Sequence, residues 1–235
     1  MKQLLLLQIL CAMSQLSLAQ YFNTHFFERT DTAKINFLPK RTASLNQVYT
    51  PVSLIIFGLS ANGKGEESLK HEFAEERNEH LANFRTHIDD YLQYSPIILG
   101  YGLDAFGVKS RNDIKNRTAI LLKGELGMAI VTTALKHATS MQRPDFSNNH
   151  SFPSGHTAQA FAAATFLSEE YKHKLKWIPY VSYTIASVVG GLRMANNKHY
   201  VSDVLVGAGI GIFSVKIAYW THKYKWGKNY KTPLR

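Results

Sequence analysis

The sequence has 235 residues, 45% hydrophobic and 19% charged, enough for one compact domain and too apolar for wholesale disorder. Its formal net charge is +10, from 27 Lys plus Arg against 17 Asp plus Glu. That balance favours an anionic partner without choosing among phosphate groups, nucleic acid and an acidic membrane surface.

The chain opens with Lys2, an apolar run from Leu4 through Leu10, and Ser17-Leu18-Ala19 before Gln20. A basic start, an apolar stretch and a small-x-small ending are the pattern of a secretory signal peptide, predicted over residues 1–19. The competing reading is a first membrane helix, which Gln3, Gln8, Ser14 and Gln15 disfavour. Cleavage after Ala19 would remove Cys11, the single cysteine, so neither disulfide nor thiolate chemistry is expected of the mature chain. An exported protein that is periplasmic and membrane-associated, or carries short membrane-embedded helices, is the expected destination.

Residues 20–63 read as a lead-in with a short apolar segment centred on Val52-Ser53-Leu54-Ile55-Ile56-Phe57. After Gly63-Lys64-Gly65, the apolar positions Leu69, Phe73, Leu81, Phe84, Ile88 and Leu92 recur at helical spacing, which predicts a packed stripe with Glu75, Glu76 and Arg77 on a solvated face. Five further apolar stretches follow, at about 96–107, 118–135, 157–168, 177–192 and 204–220. They are rich in Ala, Gly, Ser and Thr, residues that let helices approach closely. The expected fold is all-α, a helical bundle of about six helices with a four-helix catalytic core. The tail over 221–235 interleaves basic residues with Tyr224, Trp226 and Tyr230, which suits a lipid headgroup zone, single-stranded nucleic acid or a solvated helix end alike.

Chemistry-bearing residues concentrate between 136 and 203. They form three clusters: Lys136 with Arg143-Pro144; Pro153-Ser154-Gly155-His156; and Arg193, His199 and Asp203. A transferring phosphoryl group carries negative charge on its equatorial oxygens, so fixed cations and amide donors must surround it. Lys136, Arg143 and Arg193 supply cations, Ser154 a hydroxyl, and Gly155 a backbone that an oxyanion can approach. A helix starting after Gly155 would aim its free N–H groups at the same anion. His199 and Asp203 are four apart and share a face if helical, so the carboxylate can fix one ring nitrogen and leave the other to attack phosphorus. His156 can then protonate the leaving oxygen. Each cluster alone is weak: a His and an Asp four apart are most often a salt-bridged helix face. The ordered set is what carries weight.

That set resembles the signature of the type 2 phosphatidic acid phosphatase and vanadium haloperoxidase superfamily, over roughly residues 80–220. The resemblance implies a domain spanning 64–220, an α-helical bundle with the site at one end, and hydrolysis that needs no metal or other cofactor. It makes His199 the nucleophile, Asp203 its orienting carboxylate and His156 the acid, with Lys136, Arg143, Ser154, Gly155 and Arg193 holding phosphate. One departure is visible, since the family often has Ser before the third-cluster Arg and here it is Leu192. The expected function is removal of phosphate from phosphomonoesters or diphosphates through a phosphohistidine, the substrate being lipid-linked: lipid A, phosphatidic acid, phosphatidylglycerophosphate or undecaprenyl diphosphate. The alternatives are an acid phosphatase on soluble phosphomonoesters, favoured by the mean hydropathy of −0.17, a vanadate-dependent haloperoxidase, and a non-enzymatic anion-binding protein. A membrane surface is the expected partner, and nucleic acid is not.

Overall fold

Apolar helical stretches separated by short loops give eight α-helices and no strand among the described residues. The computed structural model describes residues 45–63, 65 and 68–223, so the signal-peptide segment, most of the lead-in and most of the basic tail lie outside the described residues. The helices are α1 (Leu45–Ser60), α2 (Leu69–His80), α3 (Ile88–Leu92), α4 (Ser95–Ala105), α5 (Ile114–Thr139), α6 (Gly155–Tyr171), α7 (Ile178–Ala195) and α8 (Val201–Thr221). The all-α expectation holds.

Two helices exceed the six that periodicity suggests. One is α1, formed by the apolar segment of the lead-in around Pro51. The other arises because the run from Leu69 to Leu92 is broken at Leu81–His87. Tertiary hydrogen bonds hold the break: the Arg77 Nε donates to the Ala195 carbonyl at 2.9 Å, and Asn196 accepts from Thr86 N and donates to Thr86 O, both at 2.9 Å. Arg77 is therefore buried, whereas Leu81, Phe84 and Ile88 are exposed. The packed stripe and solvated face expected over this segment are corrected on both counts, because Arg77 finds backbone carbonyls across the fold that a helix surface would not offer.

At the centre stands α8, packed by α1, α5 and α6, while α6 also meets α4, α5 and α7. Small residues make this density attainable. A Cβ at Gly207 would lie 2.5 Å from the Ser154 carbonyl oxygen, and one at Gly211 would lie 2.2 Å from that of Ala158. Only glycine lets α8 approach the α6 backbone so closely. Around this contact Ile120, Phe166, Val215 and Tyr219 form one buried cluster, and Met128, Phe152, Val206 and Ile210 another.

The C-terminal end of α6 is locked by charge. Glu169 pairs with Lys216, with Lys172 at 2.9 Å and with Arg111 at 3.4 Å. Buried Glu170 accepts from Asn112 and from the Tyr219 hydroxyl, and Arg117 pairs with Asp104 at 3.0 Å while stacking over Tyr101. Helix α6 is 17 residues long, so its two ends lie about 25 Å apart at 1.5 Å per residue. The locked end leaves the opposite end free to carry a site.

Two described helices, α5 and α8, are long and apolar enough to cross a membrane. In α8 that apolar stretch is 78% buried inside the protein, against 28% in α5. Helix α8 is a core helix, and α5 presents an apolar outer face.

Candidate active site

The three sequence clusters fall at one end of the bundle, on the C-terminal turns of α5 and α7, the N-terminal turns of α6 and α8, and the loop between α5 and α6. Asp113 caps α5 by accepting from the N–H groups of Lys115 and Asn116, and Ser140 ends it in a left-handed turn at φ 44°. This places Lys136 on the last full turn, where its ammonium donates to the His150 carbonyl at 2.7 Å. The loop then folds back on itself, with Arg143 N donating to Asn148 O and Ser151 N to Met141 O. Lys198 bonds Asp145 at 2.6 Å and fastens this loop to the segment before His199. Burial would raise the Asp145 carboxyl, but the Lys198 bond outweighs it and pulls the group down to about 2.

Ser154 caps α6, its hydroxyl accepting from Thr157 N at 3.4 Å. Its own N–H donates to the Asp203 carbonyl at 3.0 Å, which ties the second cluster directly to the third. The N–H groups of Gly155 and His156 open the helix and have no preceding-turn carbonyl to bond. A Cβ on Gly155 would meet only Lys136 Cε at 3.9 Å, so the backbone here faces the lysine.

His199 lies in the loop before α8 rather than on it, with Asp203 in that helix's first turn. The shared helix face expected for this pair is thus replaced by a helix entry, which brings them equally close. His199 Nδ1 is 3.4 Å from Asp203 Oδ2. The same carboxylate oxygen accepts from the Ser151 hydroxyl at 2.5 Å and from Tyr200 N at 3.0 Å, so its position is fixed before any ligand arrives. Burial pushes the His199 imidazole down to about 4, with Lys136 and Arg143 acting in the same direction against Asp203. This downward shift favours the neutral ring, the form a nucleophilic imidazole needs.

Arg193, on the last turn of α7, is buried and bonds Asp89 Oδ2 at 2.6 Å. Asp89 is fully buried, and its other oxygen accepts from Asn196 at 3.1 Å. His156 Nε2 meets the adjacent Asp90 at 2.8 Å. Asp89, Asp90 and His156 converge closely enough to hold a metal ion, yet both Asp89 oxygens are already engaged and Asp90 is bonded to the imidazole. Six buried side-chain polar atoms lack a partner among the described residues, and half of them are Arg143 Nε, Arg193 Nε and His199 Nδ1. Arg143 is lowered by burial and then by Arg193, so the two guanidinium groups are electrostatic neighbours. Unmet donors from neighbouring guanidinium groups, beside a buried histidine, are chemically suited to an oxyanion.

All the predicted site residues lie at this end of the bundle. Sequence reasoning missed Asp89, Asp90, Ser151 and Asn196 as members of the site. Nothing local in the sequence marks the partners of Asp89 and Asp90, which are Arg193 on α7 and His156 on α6.

The profile of the PAP2 superfamily matches residues 118–227. Residues 118–227, just under half of the chain, are thus similar to the PAP2 superfamily. Over 141 residues the chain is 39% identical to the lipid A 1-phosphatase of Porphyromonas gingivalis, covering 59% of this chain and 31% of that protein. The probable lipid phosphate phosphatase 4 of Arabidopsis thaliana is 34% identical over 80 residues, covering 29% of this chain and 26% of that protein. The chain thus spans less than a third of the length of these curated relatives. The PAP2 type phosphatidylglycerolphosphate phosphatase of Bacillus subtilis superposes with a TM-score of 0.53 at 23% identity, covering 73% of this chain and 94% of that one. That likeness concerns the fold. All three clusters fall inside the matched residues, whereas Asp89 and Asp90 precede them.

Proposed function

We propose that the protein is a PAP2-type lipid phosphatase that works through a phosphohistidine on His199. The observation that carries this reading is the neutral, buried His199 set against Asp203, with the unpartnered Nε atoms of Arg143 and Arg193 at the same end of the bundle. In the first step the Nε2 lone pair of His199 attacks phosphorus. The N–P bond forms as the P–O bond to the leaving alcohol breaks, and His156 gives its proton to the departing oxygen. Asp203 stabilises the positive charge that develops on the His199 ring. Arg143, Arg193, Lys136 and the N–H groups at the start of α6 hold the equatorial oxygens, whose charge grows in the transition state. In the second step water attacks phosphorus and loses a proton to His156, the N–P bond breaks, and inorganic phosphate leaves.

A lipid-linked phosphomonoester or diphosphate is the substrate class, supported by the relatives' names and by the apolar outer face of α5. Export, with the site outside the cytoplasm, completes the proposal. The mean hydropathy of −0.17 favours one other reading, a phosphatase for soluble phosphomonoesters.

The test is phosphate release by the full chain and its His199→Ala variant, with EDTA present, on bacterial phospholipids, lipid A and a soluble aryl phosphate. Wild-type release that EDTA leaves intact and the variant abolishes is the expected result, with lipid preferred over aryl phosphate. Equal release by the variant would remove the nucleophile. Preference for the soluble ester would transfer the assignment to the second reading.

A further inference from the structure

His199 is steadied through one ring nitrogen by a carboxylate, and His156 has the same arrangement through its other nitrogen. His156 Nε2 is 2.8 Å from Asp90 Oδ1, which leaves Nδ1 as the nitrogen available to substrate. We propose that Asp90 is the positioning residue of the acid–base histidine, holding its Nε2–H so that Nδ1 alone exchanges the proton with the leaving oxygen and the water. This rests on the phosphatase reading above.

The placement of Asp90 is built into the fold. Its neighbour Asp89 is buried and held by Arg193 at 2.6 Å and by Asn196 at 3.1 Å. Asn196 in turn clamps both backbone groups of Thr86 at 2.9 Å. The segment 86–90 is therefore fastened to the C-terminal end of α7 by buried bonds, and Asp90 extends from it to His156 at the start of α6. Without the clamp, a half-exposed Asp–His pair would be worth little, because solvent screens it and ordering two side chains costs entropy. With the segment already fixed, that ordering cost is met by the fold.

The chemistry needs such a partner. Burial lowers the His156 imidazole, and Arg193 lowers it further, both of which favour the neutral ring that cannot act as an acid. Asp90, by hydrogen bond and charge, and Asp89, by charge alone, oppose this. Asp90 is itself held as a carboxylate: burial raises it, but its bonds to His156 and His87 dominate and lower it. When His156 gives up its Nδ1 proton, Nε2–H stays on Asp90. The bare Nδ1 is then the base for the attacking water. One carboxylate fixes the tautomer for both steps.

The experiment compares wild type, Asp90→Asn and Asp90→Glu as full chains in detergent. Two quantities are read: kcat/KM against pH on an alkyl phosphate and on an aryl phosphate, and the NMR titration of the His156 ring, assigned with His156→Gln. Loss of the carboxylate should lower the His156 midpoint by about one pKa unit, a tenfold change in the protonated fraction above it. The basic limb of the alkyl-phosphate profile should move to lower pH by the same amount. Activity near pH 7.5 should fall about tenfold on the alkyl ester and less on the aryl ester, whose leaving group departs with little protonation. Asp90→Glu should restore most of both.

An unmoved His156 midpoint would overturn the proposal, as would equal losses on both esters with unmoved limbs, which is what a scaffold role predicts. If wild type releases no phosphate from any ester, the phosphatase reading fails by itself. The ring titration still decides the role of Asp90.

Discussion

At the residue scale, the proposed mechanism gives the two histidines opposite roles in one reaction, attack for His199 and proton transfer for His156. His199 is buried at 3% exposure, and its imidazole is pushed down to about 4 by burial with help from Lys136 and Arg143. Its attacking form is the neutral one, present above that value and lost as pH falls through it. The acidic limb of kcat/KM, which reports the free enzyme, should therefore lie near pH 4 once the substrate's own second ionisation near pH 6 is accounted for. An unperturbed histidine would place that limb near 6.5. A stopped-flow or discontinuous pH profile from 3.5 to 8 measures it directly. An acidic limb at 6 or above would mean that the attacking group is less buried than His199 is here. Asp203→Asn should move this limb further down, since Asp203 is the group that opposes burial. It should also cut kcat sharply, because no carboxylate remains to balance the charge on the ring as phosphorus is attacked.

At the scale of elements, the glycines of α8 decide whether the site exists. Ser154 and Asp203 are joined backbone to backbone at 3.0 Å, and that contact lies at the α6–α8 crossing which Gly207 and Gly211 keep close. Gly211→Val would drive a side chain into the Ala158 carbonyl and separate the two helices. Overpacking of this kind costs about 1–3 kcal/mol, and the displaced cap should abolish phosphate release as well. Gly127→Ala on α5 is the matched control, since a Cβ there meets nothing within 4 Å. Alanine is about 1 kcal/mol better than glycine inside a helix, so this variant should unfold at the same or a higher temperature. Thermal unfolding of both in detergent, with activity assayed alongside, checks the pair.

The same scale shows what the sequence could express. Helices α4 to α8 are legible because each carries an apolar stretch, and the three clusters are legible because spacing within a motif is local. The break at Leu81–His87 is not, for it depends on Arg77 and Asn196 finding backbone groups more than a hundred positions away. Asp90 is hidden for the same reason, lying 66 positions from the imidazole it holds.

At the scale of the whole molecule, the outer surface is as informative as the core. Leu122, Leu126 and Ile130 recur every fourth residue on α5 at 63, 62 and 60% exposure, so one apolar stripe of this helix is left uncovered. Ile98 on α4 and Phe106 just after it are exposed as well. Isolated exposed apolar residues need no explanation, but a regular stripe along a 26-residue helix marks a surface with an apolar environment. A net charge of +10 adds attraction to anionic headgroups, and this term weakens with salt where the apolar one does not. A lipid bilayer supplies both. The protein should therefore co-sediment with vesicles containing anionic phospholipid. Most of that binding should survive high salt, because burial of apolar surface contributes about 25 cal/mol per Å² regardless of ionic strength. Replacing Leu122, Leu126 and Ile130 together by Gln should release the protein from vesicles by tenfold or more. Hydrolysis of a soluble aryl phosphate should stay intact, since none of the three touches the site end of the bundle. If binding instead vanished with salt and ignored the triple substitution, charge alone would hold the protein at the membrane, and α5 would have to be covered by something other than lipid.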